Sequence, residues 1–358
     1  MDQVLYGIPI LGVLFQLVGY LVAVVPQPTV AHQIVFLATP LILGALCGIM
    51  NERSGVVNIG IEGMMLSSAF TAFVAAGLVN QAIGGTPSDI FGITLPLLIG
   101  ILAAVVNGLV VSTLHAWLAI TIRADQIISG TIINIAAAGA TGYLHRLIIT
   151  PNPGLGAGIF AAWTPPEALT SIPVVGWIIG AFFGQGPLAM SALFLMLLLQ
   201  LWLFRSRWGL RTRAVGEHPK AAETVGIDVI RLRYKNVILG GVFAGLAGAF
   251  LTLESQGSFQ LNMTAGRGFI ALAAVIIGRW TPLGAFGAAL LFSGTTALQV
   301  AIGVNPPTGQ LGSVLLAIPS QLFGALPYVV TIIVLAGFIG RSVAPAADGQ
   351  PYSKEIRT

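Results

Sequence analysis

Three ionisable side chains, Glu52, Arg53 and Glu62, lie in the stretch LCGIMNERSGVVNIGIEGMML (residues 46–66), between two apolar runs. If those runs cross a membrane, the charges are costly, because a charge at the centre of a bilayer is disfavoured by about 2.5–3.5 kcal/mol. Such groups normally face the interior of a helix bundle, water or one another. Chemically, they could line a polar path for a solute. In an ion-driven transporter, Glu62 and Glu254 could instead carry the coupling ion.

The backbone of the same stretch is unusual as well. Asn58, Gly60 and Gly63 permit an unwound chain, which lipid excludes unless that chain is buried in protein or lines a cavity. We therefore predict that Asn58, Gly60, Glu62 and Gly63 line a substrate pathway. For Glu62 a simpler role stays open, because a carboxylate also stabilises the N-terminus of a helix.

Two further asparagines, Asn107 and Asn134, lie inside apolar runs, and we assign them to the same pathway. Polar side chains in membrane helices also join one helix to another by hydrogen bonds. Both roles stay open for these two residues.

Motifs of catalysis and metal binding are missing from the sequence. It contains no GxxxxGKS or GxxxxGKT phosphate loop, so we do not expect this chain to hydrolyse ATP. It has no HExxH or GxSxG motif, and its four histidines are scattered. The single cysteine, Cys47, cannot form an internal disulfide or a thiolate metal site. We predict no enzymatic activity, no metal, no bound cofactor and no nucleic-acid partner.

The composition indicates the setting of these residues. Of the 358 residues, 56% are hydrophobic and 8% are charged, and the mean hydropathy is +0.93. Soluble domains carry about 25% charged residues, so a water-soluble fold of this length is excluded. We predict a single all-α transmembrane domain over residues 1–358, surrounded by a lipid bilayer.

About 20 apolar residues cross a bilayer core as a helix. This length predicts about ten membrane-spanning helices, of which the eighth is short and the tenth is long enough to be broken. Their ranges are 4–25, 33–50, 62–79, 91–114, 127–149, 186–204, 237–253, 269–278, 283–304 and 312–340.

The basic residues predict how these helices are oriented. Eight of the 16 Lys and Arg residues fall in the loop 205–236, and none lies in residues 147–204. Because positively charged loops stay in the cytoplasm, 205–236 is expected inside and 150–185 outside. Counting spans from there places both termini, including the tail 342–358, in the cytoplasm. The loop 254–268 is the exception, because the same count places its basic residue Arg267 outside.

Two stretches of the sequence resemble each other, which indicates a repeated architecture. LGALCGIMNERSGVVNIGIEGMML resembles FAGLAGAFLTLESQGSFQLNMTAGRGFIAL in the seventh span. Each stretch has close glycines, then a Glu, an Asn, a pair of glycines and a new apolar run. The two spans are expected to cross in opposite directions, as in transporters built from inverted repeats with discontinuous helices. We predict an inverted repeat of about 5+5 helices.

The stretch NERSGVVNIGIEGMM resembles a signature of permease subunits in ATP-binding-cassette (ABC) importers of the basic-membrane-protein nucleoside type. These permeases are related to those for ribose and branched-chain amino acids. Three further stretches match in family order: RADQIISGTIINIAAAGATGYL, RAVGEHPKAAETVGIDVIRLRYKNVILGGVFAGLAGAFL and GRGFIALAAVIIGRWTPLGAFGAALLF. The similarity covers most of residues 33–340, so 1–32 is an extra N-terminal span. His218 departs from the pattern, since similar permeases usually carry Asn there.

The resemblance implies a permease that moves nucleosides into a bacterial cell across its inner (plasma) membrane by alternating access. It also implies three protein partners. These are a cytoplasmic ABC ATPase that binds the ATP, a second and unlike permease subunit that makes a heterodimer, and an extracytoplasmic substrate-binding lipoprotein. Two alternatives stay open: an ABC permease for sugars or branched-chain amino acids, and an ion-driven secondary transporter.

The stretch GEHPKAAETVGI (residues 216–227) begins with a turn at Gly216. Residues 220–225 are expected to form a short cytoplasmic helix, with Pro219 in its first turn and Gly226 at its end. So short a helix is stabilised only by packing. We expect few surfaces of this chain to be available for that packing, which favours a separate cytoplasmic protein. Binding of the basic loop to anionic lipid headgroups is the alternative. The resemblance implies that this is the coupling helix that docks on the ATPase, with the contact residues Gly216, Glu217, Pro219, Ala221, Ala222, Glu223 and Gly226.

Overall fold

The computed structural model describes residues 19–20, 23–24, 27–83, 92–172, 174–304 and 342–353. This part of the chain is helical and contains no β-strand, which confirms the all-α prediction for it. The predicted span 312–340 lies outside the described residues, as does nearly all of the span 4–25.

The described helices are numbered in chain order. They are α1 (Pro28–Glu52), α2 (Ile61–Ile83), α3 (Leu95–Ala116), α4 (Gln126–Leu144), α5 (Glu167–Thr170), α6 (Val175–Ile178), α7 (Pro187–Arg205), α8 (Arg207–Glu217), α9 (Pro219–Thr224), α10 (Val229–Ala249), α11 (Arg267–Ile277) and α12 (Pro282–Val304). π-Helical turns extend four of them: Trp117–Ile122 after α3, His145–Ile149 after α4, Ile179–Phe183 after α6 and Phe250–Gln256 after α10.

Seven helices of the described part are long and apolar enough to cross a membrane, namely α1, α2, α3, α4, α7, α10 and α12 with their extensions. Each coincides with a predicted span between residues 33 and 304. The predicted eighth span is α11, which has 11 residues. At 1.5 Å per residue such a helix is about 16 Å long, roughly half the thickness of the hydrocarbon core. α11 therefore does not cross a bilayer by itself.

The helix ends follow from the local sequence. Side chains of Thr94, Asp125, Ser206 and Asp228 accept backbone N–H groups from the first turns of α3, α4, α8 and α10. These N-caps satisfy donors that have no partner inside the helix. The extension of α10 ends at Gly257, whose φ of +66° lies in a region that favours glycine.

The chain divides into two compact units. The larger contains residues 39–163, 186–289 and 341–358, and α2 is its central helix, packed against α3, α4, α10 and α11. Helices α3 and α10 cross closely, since a Cβ on Gly245 would lie 2.7 Å from the Ala104 carbonyl oxygen. Small residues allow such crossings between membrane helices.

The smaller unit includes the start of α1, the segment with α5 and α6, and the end of α12. Gln185 Nε2 donates to the carbonyl oxygens of His32 at 3.0 Å and Ala181 at 2.8 Å. The His32 ring nitrogen Nε2 lies 2.8 Å from the Gly184 carbonyl oxygen. These bonds hold the chain after α6 beside α1.

Candidate functional site

The chain between α1 and α2, residues 53–60, is a joint without regular helix, and we call it the polar joint. Asn58 is fully buried there. Its Oδ1 accepts the Gly60 N–H at 3.0 Å, and its Nδ2 lies 3.6 Å from a methionine sulfur. The side chain thus satisfies backbone that has left the helix. The unwound chain predicted at Asn58 and Gly60 is observed, whereas Glu62 and Gly63 lie in the first turn of α2.

Asn134 of α4 holds the polar joint to α2. Its Oδ1 accepts the Gly63 N–H at 2.7 Å, and its Nδ2 donates to the Ile59 carbonyl oxygen at 3.0 Å. The glycine is required for this approach, because a Cβ on Gly63 would lie 2.8 Å from Asn134 Cα. The structure therefore brings Asn58, Gly60, Gly63 and Asn134 together.

Asn107 of α3 lies further along α2. Its Nδ2 donates to Ser67 Oγ at 2.8 Å and to Ser68 Oγ at 3.0 Å. It joins α3 to α2 about one turn beyond Gly63, rather than at the polar joint itself.

Three buried side chains, Gln126, His115 and Ser129, hold the first half of the polar joint, and sequence reasoning missed His115 and Ser129. Gln126 Oε1 accepts the Val57 N–H at 2.7 Å, and His115 Nε2 lies 3.0 Å from the Val57 carbonyl oxygen. Ser129 Oγ lies 3.1 Å from His115 Nδ1 and orients the ring. Polar residues beside apolar runs were visible as a signal, but the backbone group that they bind was not.

Glu62 bridges the first turns of two helices. It lies in the first turn of α2, and it also accepts two N–H groups at the start of α11. Gly266 donates to Oε1 at 2.8 Å, and Gly268 donates to Oε2 at 2.6 Å. A carboxylate is favoured at the positive end of a helix dipole, and here it serves two such ends. The predicted helix-start role of Glu62 is observed, whereas its second helix was not foreseen.

Glu254 has the same role at the start of α7. Its Oε2 accepts the Leu188 N–H at 2.6 Å, and its Oε1 accepts the Ala189 N–H at 3.0 Å. Gly186 leaves room for the carboxylate, since a Cβ there would lie 2.6 Å from Oε1. In Glu62 and Glu254 alike, backbone donors occupy both carboxylate oxygens. This arrangement suits fixed helix capping better than reversible binding of a coupling ion.

Glu52 and Arg53 bind the turn that follows α11. Trp280 Nε1 donates to Glu52 Oε2. Arg53 donates Nε to the Trp280 carbonyl oxygen at 2.8 Å and Nη2 to the Arg279 carbonyl oxygen at 3.2 Å. Burial lowers the pKa of Arg53, against the raising effect of a nearby carboxylate.

The predicted short helix is α9, and its limits are as expected. Pro219 occupies its first turn, and Gly226, with a φ of +84°, lies just beyond its end. The Ile227 N–H returns to the Ala222 carbonyl oxygen at 3.1 Å. Ala221 is exposed, whereas Ala222 is only 4% exposed. One of the two alanines is therefore available to another protein.

The C-terminal tail, residues 342–353, covers the other side of α9. Tyr352 is buried in an apolar cluster with Ala222 and with side chains of α8 and α10, and its hydroxyl bonds to Glu223. The expectation that few surfaces of this chain are available to α9 is wrong, because the tail folds back and supplies Tyr352 to its apolar side. Glu223 thus meets the tail in this structure.

Gly216 and Glu217, just before α9, also bond to the tail. The Ala347 N–H donates to the Gly216 carbonyl oxygen at 2.8 Å, and the Ala346 N–H donates to Glu217 Oε2 at 3.1 Å. Four of the seven predicted coupling residues therefore contact the tail, namely Gly216, Glu217, Ala222 and Glu223. The other three, Pro219, Ala221 and Gly226, lie close to them in the chain.

Asp348 lies at the buried side of the tail. Burial raises the pKa of its carboxyl to about 7, against the opposing effects of the Gly349 N–H and the Arg233 guanidinium. Arg233 of α10 is 2% exposed and donates Nη1 to the Gln350 carbonyl oxygen at 2.9 Å. The tail is thus anchored on α10 as well as on α9.

The family of the chain follows from comparison with known proteins. The family model described as branched-chain amino acid transport system / permease component matches residues 30–335. The chain belongs to this permease family. Its members are transporter components rather than enzymes. With its long apolar helices, this permease is a multi-pass membrane protein.

Similar permeases cover nearly the whole chain. The guanosine ABC transporter permease protein NupQ of Bacillus subtilis (strain 168) is 40% identical over 324 residues, which are 89% of this chain and 95% of the relative. The nucleoside ABC transporter permease protein NupC of Lactococcus lactis subsp. cremoris (strain MG1363) is 39% identical over 334 residues, 92% and 97% of the two chains. The putative glucose ABC transporter permease protein TsgC13 of Haloferax volcanii is 32% identical over 337 residues, 89% and 95% of the two chains. No solved structure matches this permease.

Within the described residues, no three His, Cys, Asp or Glu side chains are placed to hold a metal ion.

The residues that anchor the tail could not be predicted from the sequence. Arg233, Asp348 and Tyr352 form this anchor, yet each looked like an ordinary residue of a cytoplasmic segment. A charged or aromatic residue near the C-terminus carries no signal of the helix that it will cover.

Proposed function

We propose that this chain is the membrane-spanning permease subunit of an ABC importer that moves nucleosides into the cell by alternating access. The observation that carries the proposal is the similarity to relatives named as guanosine and nucleoside permeases, at 40% and 39% identity over 89% and 92% of this chain. In this function the chain itself needs no cofactor, because the ATP is bound by a partner subunit.

The polar joint and its neighbours are proposed to line the pathway of the solute. Glu62, Asn107 and Asn134 are partly exposed, so they are the predicted side chains that can contact a solute. Asn58 and the glycines at 60 and 63 are buried and would shape the backbone around it. A nucleoside has an aromatic base and a polar sugar, and sites for such solutes combine apolar walls with a few polar groups.

The domain 1–358 is proposed to hold about ten membrane helices in an inverted repeat of about 5+5. The core is 33–340, and 1–32 adds an N-terminal span. Glu62 and Glu254, one in each half of the chain, each accept two backbone N–H groups at the start of a distant helix. This shared geometry, together with the short helix α11, supports a repeat with discontinuous helices.

Both termini are proposed to lie in the cytoplasm, at a bacterial plasma membrane, with 150–185 outside and 205–236 inside. Segments whose charges predict the same side contact each other. Arg53 reaches the chain just after α11, and the tail bonds to Gly216 in the loop 205–236. This agreement between charge and contact supports the orientation.

Three further proteins complete the proposed importer: a cytoplasmic ABC ATPase, a second and unlike permease that makes a heterodimer, and an extracytoplasmic substrate-binding lipoprotein. The ATPase is proposed to dock on α9, with the exposed Ala221 at the centre of the contact. Of the other predicted contact residues, Glu217 and Gly226 are exposed and Pro219 and Glu223 are half-buried, so they can belong to this surface. Gly216 and Ala222 are buried and would support the surface from beneath.

Sugars are the second candidate class of substrate, since the relative TsgC13 carries glucose in its name and is 32% identical. Branched-chain amino acids, named in the family description, are the third. An ion-driven mechanism is disfavoured, because the carboxylates of Glu62 and Glu254 are already occupied by backbone donors.

The experiment is to reconstitute the purified importer, with its binding protein, in lipid vesicles and to measure ATP hydrolysis. We expect guanosine, adenosine or uridine to stimulate hydrolysis, and glucose and leucine to leave it at the basal rate. Stimulation by glucose or leucine without any response to nucleosides would overturn the assignment of the substrate.

A further inference from the structure

Residues 345–352 of the tail make contacts at both ends of α9. Before α9, the backbone N–H groups of Ala346 and Ala347 bond to Glu217 and Gly216. At the end of α9, the Tyr352 hydroxyl bonds to Glu223. The tail therefore spans the length of the helix.

The helix α9 is joined to its neighbours, α8 and α10, by residues that are not helical. His218 separates it from α8 in an extended conformation, with φ −139° and ψ 78°. Gly226 separates it from α10 with a φ of +84°. A helix of six residues is marginal by itself, so its position depends on tertiary contacts. Without such contacts, a force applied to α9 would bend the chain at His218 and Gly226.

The tail bridges the second of these connections, the one at Gly226 between α9 and α10. Tyr352, 8% exposed, packs in one cluster with Ala222 of α9 and with Val229 and Leu232 of α10. Arg233 of α10 holds the tail next to this cluster through the Gln350 carbonyl oxygen, at 2.9 Å. Helix α10 in turn packs against α2 and α3. The tail thus joins α9 to the helix that enters the core of the larger unit.

We propose that residues 345–352 are a positioning element of the transport cycle: they clamp α9 onto α10, so that movement of a docked ATPase reaches the membrane helices. This inference rests on the proposed function, in which α9 is the ATPase contact. Tyr352 acts here as a positioning residue, because it works through Glu223 and Ala222 and not through contact with the solute.

The test compares the whole importer carrying Tyr352→Phe with the wild type. Tyr352→Phe keeps the ring in its cluster and removes only the hydroxyl, so folding is preserved. Val343→Ala is the matched control, because that side chain is in the same tail and is 74% exposed. The measured quantities are ATPase copurification, ATP hydrolysis with and without loaded binding protein, and solute moved per ATP.

For Tyr352→Phe we expect the ATPase to copurify and the solute moved per ATP to fall about tenfold, the effect of losing one charge-assisted hydrogen bond. Wild-type stimulation and wild-type solute per ATP in Tyr352→Phe would overturn the inference. If the wild-type chain itself neither binds the ATPase nor transports with ATP, the proposed function fails instead, and the two failures are thus distinguishable.

Discussion

Replacing Gly186 by Ala tests the capping role of Glu254 by steric means. The backbone at Gly186, with φ −74° and ψ 172°, suits alanine, so the backbone itself offers no obstacle. The added Cβ would nevertheless lie 2.6 Å from Glu254 Oε1. Overpacking of this kind lowers the free energy of unfolding by about 1–3 kcal/mol. It also pushes the carboxylate away from the N–H groups that it accepts.

Glu254→Ala removes the same contact by truncation. Two hydrogen bonds to a charged acceptor are lost, at about 1.5–3 kcal/mol each, so the free energy of unfolding should fall by about 3–6 kcal/mol. In this background the side-chain atoms that meet the new Cβ are gone. Gly186→Ala should then cost almost nothing. The double variant is therefore expected to be more stable than the sum of the single changes, by about 1–3 kcal/mol.

Gly268 supplies the matched control at Glu62. A Cβ there would lie 2.6 Å from the backbone N and Cα atoms of Glu62, which remain after Glu62→Ala. No rescue is expected at this second pair. The assay is SDS-induced unfolding of the purified protein in mixed micelles, followed by circular dichroism. Strict additivity at Gly186 and Glu254, or equal rescue at both pairs, would refute the reasoning.

Three further predictions concern the cytoplasmic side and the pathway. Ala221→Trp should abolish copurification of the ATPase without releasing the tail, because the residue is exposed; unchanged copurification would contradict docking at α9. The tail should resist proteolysis better at about pH 6 than at about pH 8, since burial raises the pKa of Asp348 to about 7 and the docked tail holds that proton more tightly than the free tail. Its docking is thus strongest at low pH and weakens as the pH rises through that value; Asp348→Asn should show no such dependence, and equal protection of the wild type at both pH values would contradict the argument. In a Cys47→Ala background, Asn134→Cys should react with a small polar thiol reagent faster than Asn58→Cys, because Asn134 is partly exposed and Asn58 is fully buried. Equal labelling would argue against the proposed lining of the pathway.

The seven long apolar helices of the described residues could be predicted because an apolar run of fixed length reports burial in lipid directly. The limits of α9 were also predictable, since Pro219 and Gly226 act on their own neighbours in the chain. Glu62 was assigned correctly to the start of α2 for the same reason. These features depend on local sequence, and the structure agrees with them.

Contacts between distant segments were not predictable from one sequence. Nothing near Glu62 indicates that its carboxylate also serves Gly266 and Gly268, which lie more than two hundred residues later. The tail is a similar case, because Tyr352 gains its role only where the fold brings it to Ala222 and Glu223. Periodicity and propensity describe neighbours along the chain, whereas these contacts are set by how the helices pack.

The most direct test of the account is uptake of radiolabelled guanosine by vesicles that hold the complete importer. We predict that guanosine accumulates only when ATP is present in the vesicle lumen, on the side of the ATPase, and loaded binding protein is present outside. We predict no accumulation when this chain is reconstituted alone. Uptake by the chain alone, driven by an ion gradient and indifferent to ATP, would contradict it.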